Sequence, residues 1–294
     1  MILSHSSFGA VAGSWDSVFA ETSGAYIFYS HLWQQIWWRH FGRGARLRIL
    51  EFDNGEFRGI APLMQLGETV SFLGGNDLVD YHDFLLSHNN RSDFYKAVVG
   101  YLGADISISR IELLSIPSSS PTIELLPEIA RSQSWTVNVT MEDVAPRVNL
   151  PDSWDAYLTL LNKKDRHELR RKLRRLESAG EAIPGELSEA TDVAACLPTF
   201  FSLMRRSSPE KAVFLTPERE AFFQSLIIEL SQEGLAKLGY LDIDGQRVAA
   251  SIYFVNRDVK LLYNSGYDPD FANLSVGLLN HAYNIRRSIE QGFS

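Results

Sequence analysis

The stretch Leu261–Ile289, LLYNSGYDPDFANLSVGLLNHAYNIRRSI, reads as a strand, a polar loop and an amphipathic helix. Gly266 permits a turn that other residues resist, and the proline of Asp268-Pro269 holds Asp268 to extended or turn backbone. Ser275 stands where a helix N-cap belongs, with Val276 and Gly277 in the first turn. Leu278, Ala282, Ile285 and Ile289 give the apolar stripe that lays the helix on a sheet. A loop ending in a helix start converges backbone N–H groups on an anion. The dipole adds about 0.3–1 kcal/mol to such a site, and a glycine in the first turn leaves the N–H groups uncovered. A plain strand-to-helix connection has the same look, so the pattern points to a phosphate without requiring one.

Upstream, the chain repeats itself. Strand Lys237–Ile243, turn Asp244-Gly245, Ala249-Ala250-Ser251 and strand Lys260–Asn264 lead into Gly266. Strand Arg46–Phe52, turn Asn54-Gly55, Gly59-Ile60-Ala61 and strand Thr69–Leu73 lead likewise to Gly75. Repetition of this kind fixes architecture. The expected fold is α/β: two tandem units, helices first and a hairpin meander after, with the joint near Pro146–Pro151. That gives units 1–148 and 149–294.

Helical spacing of Leu32, Trp33, Ile36, Trp37 and Phe41 after Ser30 predicts a helix ending at Gly42. Further helices are predicted over 92–102, 127–134, 154–178, 190–206 and from Thr216-Pro217 to Gly234, where a capping Thr precedes a Pro at the first helical position. Strands are predicted over 57–64, 106–116 and 135–139. Gly180 and Pro184-Gly185 read as a break.

The chain has 294 residues, 45% hydrophobic and 22% charged, with ample material for a core. Its net charge of −8 argues against a general DNA binder. Its single cysteine, Cys196, fits a reducing compartment. The seven histidines are scattered and no zinc-type spacing exists, so no metal is expected. The N-terminus lacks a signal-peptide pattern, and no run approaches the roughly 18 apolar residues of a membrane span. A cytoplasmic protein without membrane insertion is the expectation.

Two segments stand against this background. Residues 163–175 hold eight Lys/Arg and two acids. Residues 151–180 carry net +3 against −8 for the whole, so the remainder carries −11. Arg166, Arg170 and Arg174 recur at helical spacing, and guanidinium forks suit phosphates. A solvated charged helix, or one that follows an RNA backbone, fits as well. The second segment, Gly74 to Asp83, crowds Asp77, Asp80, Tyr81, His82 and Asp83 beside a strand end. Its carboxylates suit a cationic amine or the removal of its proton; a polar turn with Asx caps is the bland alternative. Nucleophile-elbow, P-loop and dinucleotide motifs are missing, which disfavours hydrolases, kinases and dinucleotide enzymes.

The run SWDAYLTLLNKKDRHELRRKLRRLESAG, the segment KAVFLTPEREAFF, and GLAKLGYLDIDGQRVAASIYFVNRDVKLLYNSGYDPDFANLSVGLLNHAYNIRRSIEQG resemble the FemAB-like, CelD-like branch of the GNAT acyltransferases. So does GIAPLMQL followed by LGGNDLVDYHDFLL. The resemblance implies two tandem GNAT-like units with mixed β-sheets, the first on the acceptor side and the second binding the donor. It implies acyl transfer from acyl-CoA, such as acetyl-CoA, to an amine of a small molecule, polysaccharide or cell-wall precursor. Some relatives use aminoacyl-tRNA as donor. Carried over, Tyr263, Asn264, Ser265, Gly266, Tyr267 and Asp268 line the acyl-pantetheine. Ser275, Val276 and Gly277 meet the pyrophosphate, with Arg166 and Arg170 as phosphate ligands. Asp77, Tyr81 and Asp83 are acceptor contacts, Asp80 or Asp268 the base, and Tyr267 the acid for the leaving thiolate. Relatives continue after the last helix into a further strand, so the second unit is expected to lack its last strands and one wall of the cleft. The rival reading is a non-catalytic protein that binds RNA or an anionic glycan through the basic helix.

Overall fold

The structure is a computed structural model describing residues 1–75, 77–87 and 91–293. It divides into two units, Met1–Pro146 and Arg147–Ser294.

In the first unit, β1 (Ile2–His5) is followed by α1 (Ala12–Glu21), a 3-10 turn (Ile27–Tyr29) and α2 (His31–Phe41). Ser30 Oγ accepts from Trp33 N at 3.3 Å, capping α2 and delivering Trp33, Ile36 and Trp37 to the core. Then come β2 (Arg46–Asp53), β3 (Arg58–Leu66), β4 (Thr69–Phe72), β5 (Leu85–Leu86), α3 (Arg91–Gly103), β6 (Arg110–Glu112) and α4 (Pro121–Ser132). The sheet order is β1-β2-β3-β4-β6, with β5 beside β3; all pairs are antiparallel except β4–β6. Pro62 lies inside β3 opposite Leu73, whose N–H donates to the Pro62 carbonyl at 2.9 Å; proline has no N–H to return that bond, and β4 ends at Phe72. Phe52, Phe57, Phe72, Phe84, Phe94 and Tyr95 fill the space between this sheet and α3.

The second unit begins with α5 (Trp154–Leu160) and α6 (Lys163–Glu177), followed by β7 (Ala182–Leu187), α7 (Ala190–Ser207), α8 (Pro209–Phe214) and α9 (Pro217–Gln232). A meander of β8 (Ala236–Ile243), β9 (Gln246–Asn256) and β10 (Val259–Tyr267) follows. A 3-10 turn (Pro269–Leu274) then leads to α10 (Val276–Glu290). The sheet, β10-β9-β8-β7, is antiparallel throughout rather than mixed. Asp244 and Gly245 both have positive φ, the backbone of a two-residue hairpin turn. Alternate residues of β9 serve opposite faces. Phe254 meets Tyr263, which meets Phe223 of α9; Ser251 accepts from Asn280 of α10 at 2.9 Å. The sheet thus lies between α7 and α9 on one side and α10 on the other, with α5 and α6 against α10.

Several expected elements change. The helix expected over 154–178 is two, because Asn162 Oδ1 accepts from Asp165 N at 2.9 Å and caps a new start. Pro184-Gly185 is no break but the middle of edge strand β7, where a proline loses no ladder bond. Gly185 is needed there, since a Cβ would sit 2.1 Å from the Tyr240 ring. Residues 135–139 form no strand, only 110–112 of 106–116 pair, and α4 starts at Pro121, capped by Ser120.

Candidate active site

The decisive local feature is β10. A register shift between Leu262 and Asn264 bulges the strand at Tyr263, whose ring turns toward Phe223 and Phe254. Beyond the bulge, Gly266 lies so close to α7 that a Cβ would come within 2.2 Å of Met204 N. Only glycine allows that approach. On the opposite side, Ser265, Gly266 and Tyr267 line a pocket of about 350 Å³ together with Lys211, Ser251, Gly277, Leu278, Asn280 and His281. β10, β9, α8 and α10 all contribute.

At one end of this site stands the start of α10. Ser275 has left-handed backbone, φ 58°, and its side chain makes no cap bond. Its hydroxyl instead takes a hydrogen bond from Lys172 Nζ of α6 at 2.6 Å. The first N–H groups of a helix have no intrahelical partner, so a left-handed serine, Gly277 and an ammonium surround a place suited to a phosphate. The expected phosphate ligands Arg166 and Arg170 are not the side chains that reach it. Arg166 Nη1 donates toward the Leu158 carbonyl at 3.4 Å, and Arg170 is exposed. Leu169, Leu173 and Leu176 pack inward and fix which face of α6 meets α10; Lys172 lies at its margin. Lys172, which sequence spacing did not single out, is the side chain that reaches Ser275.

Asp268 is not placed to act as a base. It is 2% exposed, and both its oxygens are committed. Arg206 donates to Oδ2 at 2.8 Å and lies 2.6 Å from Oδ1, and Asp270 N donates to Oδ1 at 3.0 Å. This bidentate pair ties the end of α7 to the loop after β10. Asn264 Oδ1 accepts from Ser265 N at 2.9 Å and lies outside the pocket lining, as do Tyr263 and Val276.

Two pocket residues were not among the expected site residues. His281 Nδ1 lies 3.3 Å from Tyr253 Oη. Burial and the neighbouring charge of Lys211 lower the His281 pKa, so the ring is neutral at neutral pH. Burial also pushes the Tyr253 phenol up, keeping it protonated. Lys211 Nζ donates to the Ser265 carbonyl, and its pKa is lowered by desolvation.

Asp77, Asp80, Tyr81 and Asp83 lie together in the first unit, after β4; Asn76 is outside the described residues. Tyr81 stacks on Tyr26, centroids 4.1 Å apart. Asp80 is exposed, yet protein close to its carboxyl raises its pKa. Asp83 acts as a brace rather than an open contact. It accepts from Thr122 Oγ1 at 2.6 Å and Phe84 N at 2.9 Å, and burial raises its carboxyl. Among the described residues, no helix is long and apolar enough to cross a membrane.

A family model described as an acetyltransferase (GNAT) domain matches residues 163–294. The match falls within the second unit and is a similarity to that domain. No curated protein sequence matches the chain. Among solved structures, FemX is similar over 99% of this chain and 86% of its own, at 11% identity and TM-score 0.67. A conserved protein of unknown function from Bacteroides thetaiotaomicron VPI-5482 is similar over 100% and 88%, at 12% identity and TM-score 0.60. The C-terminal domain of a putative lysylphosphatidylglycerol synthetase from Agrobacterium fabrum is similar over 98% and 76%, at 11% identity and TM-score 0.54. These likenesses extend through both units and concern the fold.

Proposed function

We propose that this chain is an N-acyltransferase that moves an acyl group from acyl-CoA, acetyl-CoA being the simplest, to the amine of a small molecule or cell-envelope precursor. One observation carries the reading. A single pocket is lined by Ser265–Tyr267 of β10 and Gly277 of α10, next to a helix tip furnished with Lys172. A thioester lying along β10 would place its phosphates at Ser275–Gly277 and its carbonyl toward His281. In this reading residues 149–294 are the donor-binding unit and residues 1–148 the acceptor-side unit.

The amine attacks the thioester carbonyl directly; a C–N bond forms and the C–S bond breaks. His281, neutral at working pH, takes the proton that the amine releases. That role needs the tautomer in which Nδ1–H donates to Tyr253 Oη, leaving Nε2 with its lone pair. Tyr267, in the same lining, returns a proton to the leaving thiolate. Calorimetric titration with CoA, followed by a thiol-release assay with acetyl-CoA and a panel of amines, tests the proposal. Failure of CoA to bind the folded protein would sink it.

A second reading, with aminoacyl-tRNA as donor, is favoured by the exposed Lys163, Lys164, Arg170, Arg174 and Arg175 on α6. It requires charged tRNA to compete with CoA and its binding to weaken steeply with salt. RNA or an anionic glycan bound through α6, with CoA irrelevant, would mark a non-catalytic protein instead.

A further inference from the structure

Lys211 is a half-buried ammonium without a carboxylate. Its Nζ donates to the Ser265 carbonyl and approaches Ser265 Oγ at 3.5 Å, and no ion pair accompanies these bonds among the described residues. Arg166 and Arg287 of this unit also rest on backbone carbonyls, but neither lines the pocket; several other cations are matched. Lys260 and Lys237 share Glu186, and Arg247 is bound to Asp242. Lys211 is held instead by the N-terminus of a short helix, where Ser208 Oγ accepts from Lys211 N at 3.1 Å, and its head is aimed into the pocket. An ammonium removed from water is costly unless an opposite charge meets it. No carboxylate lines the pocket: the lining supplies hydroxyls, an amide, an imidazole and this one charge. The nearby Asp268 is neutralised by Arg206.

We propose that Lys211 is a carboxylate receptor, so that the substrate in this pocket carries a carboxylate, either on its amine component or on its acyl group. The proposal rests on the acyltransferase reading for the reaction, but its binding claim stands by itself. One point charge flanked by neutral donors suits a group of charge −1. A phosphate is better served by several N–H groups or guanidinium forks, and such a place exists at Ser275–Gly277, held by Lys172. A polyamine is disfavoured, since nothing in the lining offsets a second ammonium. The same charge helps chemistry with a carboxylated amine. It holds the carboxylate while repelling the adjacent ammonium, which eases loss of the proton that His281 collects.

The test is calorimetric binding to the full chain of two matched pairs. N-acetylglycine against N-acetylglycinamide represents the amine component; succinyl-CoA against butyryl-CoA represents the acyl group. Each pair is measured on wild type, Lys211→Met and Lys211→Arg, with CoA alone as a parallel titration. A charge-assisted hydrogen bond predicts that wild type binds the carboxylate of one pair about ten- to a hundredfold more tightly. Lys211→Met brings that pair to near parity and Lys211→Arg keeps most of the difference. The pair that discriminates identifies the source of the carboxylate. Parity of both pairs on wild type, or discrimination that survives Lys211→Met, overturns the proposal even when CoA binds. Discrimination without CoA binding upholds Lys211 and removes the acyl-CoA reading.

Discussion

The two units build the same frame, a hairpin followed by a third strand and then a helix, and finish it differently. Beside β4, β6 pairs in parallel through Thr69–Arg110, Val70–Ile111 and Ser71–Glu112. The turn after β4 is packed with rings: His82 stacks on Phe72 at 5.6 Å, and a Cβ on Gly75 would meet Trp37 at 3.3 Å. Beside β10 no further strand pairs among the described residues, and past its bulge the strand carries the small residues Ser265 and Gly266, which line a pocket with Gly277 of α10. Small residues there leave space, and space lined by polar groups can hold a substrate. The two ends of a similar frame thus differ in the size of a few side chains: rings after β4, small residues at the end of β10.

The comparison can be broken at its functional end first. His281→Ala is expected to lower kcat by about a hundredfold or more, as loss of a general base does. The wild-type rate should fall as pH drops through the depressed His281 pKa, which lies below 6.5. A rate profile unchanged by the substitution removes His281 from the mechanism.

Next comes Gly266→Ala. Its Cβ meets backbone rather than a movable side chain, so a loss of about 3 kcal/mol is expected. Hydrogen exchange should report it in α7 and β10 while the amides of the first unit keep their protection.

The filled unit has its own signature. Burial depresses His82 from 6.5 to about 4. A depressed histidine gives stability that is complete above its unfolded value and lost as pH falls from 6.5 toward 4 and below. The full loss is about 3 kcal/mol at 1.36 kcal/mol per unit. Asp83, raised by burial, acts in the opposite sense on acidification. The quantity to measure is therefore the difference between wild type and His82→Gln in denaturant midpoint as a function of pH. Parallel curves would exclude His82 as the source.

The smallest effect is the most discriminating. Lys172→Ala should weaken CoA binding about fivefold, a partly exposed charge contact of about 1 kcal/mol. Arg170→Ala, on the solvent face of α6, should change it much less. The reverse ranking would restore the arginines as phosphate ligands.

Much of the fold was legible locally. Caps such as Ser30 and Thr216-Pro217, and the turn Asp244-Gly245, act within a few residues, so spacing alone places them. The split at Asn162 was also written locally, in an Asn three residues before an Asp, but the continuous charge pattern masked it. Strands β1 and β7 are edge strands whose pairing is decided by distant partners, Ile2 with Phe52 and Ala182 with Ile243. Of the site, the β10–α10 stretch could be read, because a glycine, a serine and a helix start are contiguous. Lys211 and Ser251 could not, since only tertiary structure brings them to Ser265. His281 offered one faint cue: it is one turn beyond Gly277 and so shares its helix face.

The pair Arg206–Asp268 has a consequence beyond anchoring a loop. Arg206 closes α7, and Lys211 follows it by five residues; Asp268 opens the loop that leads to Ser275. The places proposed for phosphate and for carboxylate are thereby joined through one ion pair. Any influence that an anion at Ser275–Gly277 exerts on the affinity at Lys211 must, by thermodynamic linkage, be returned in the same ratio. The order in which two substrates arrive is then a property of rates alone.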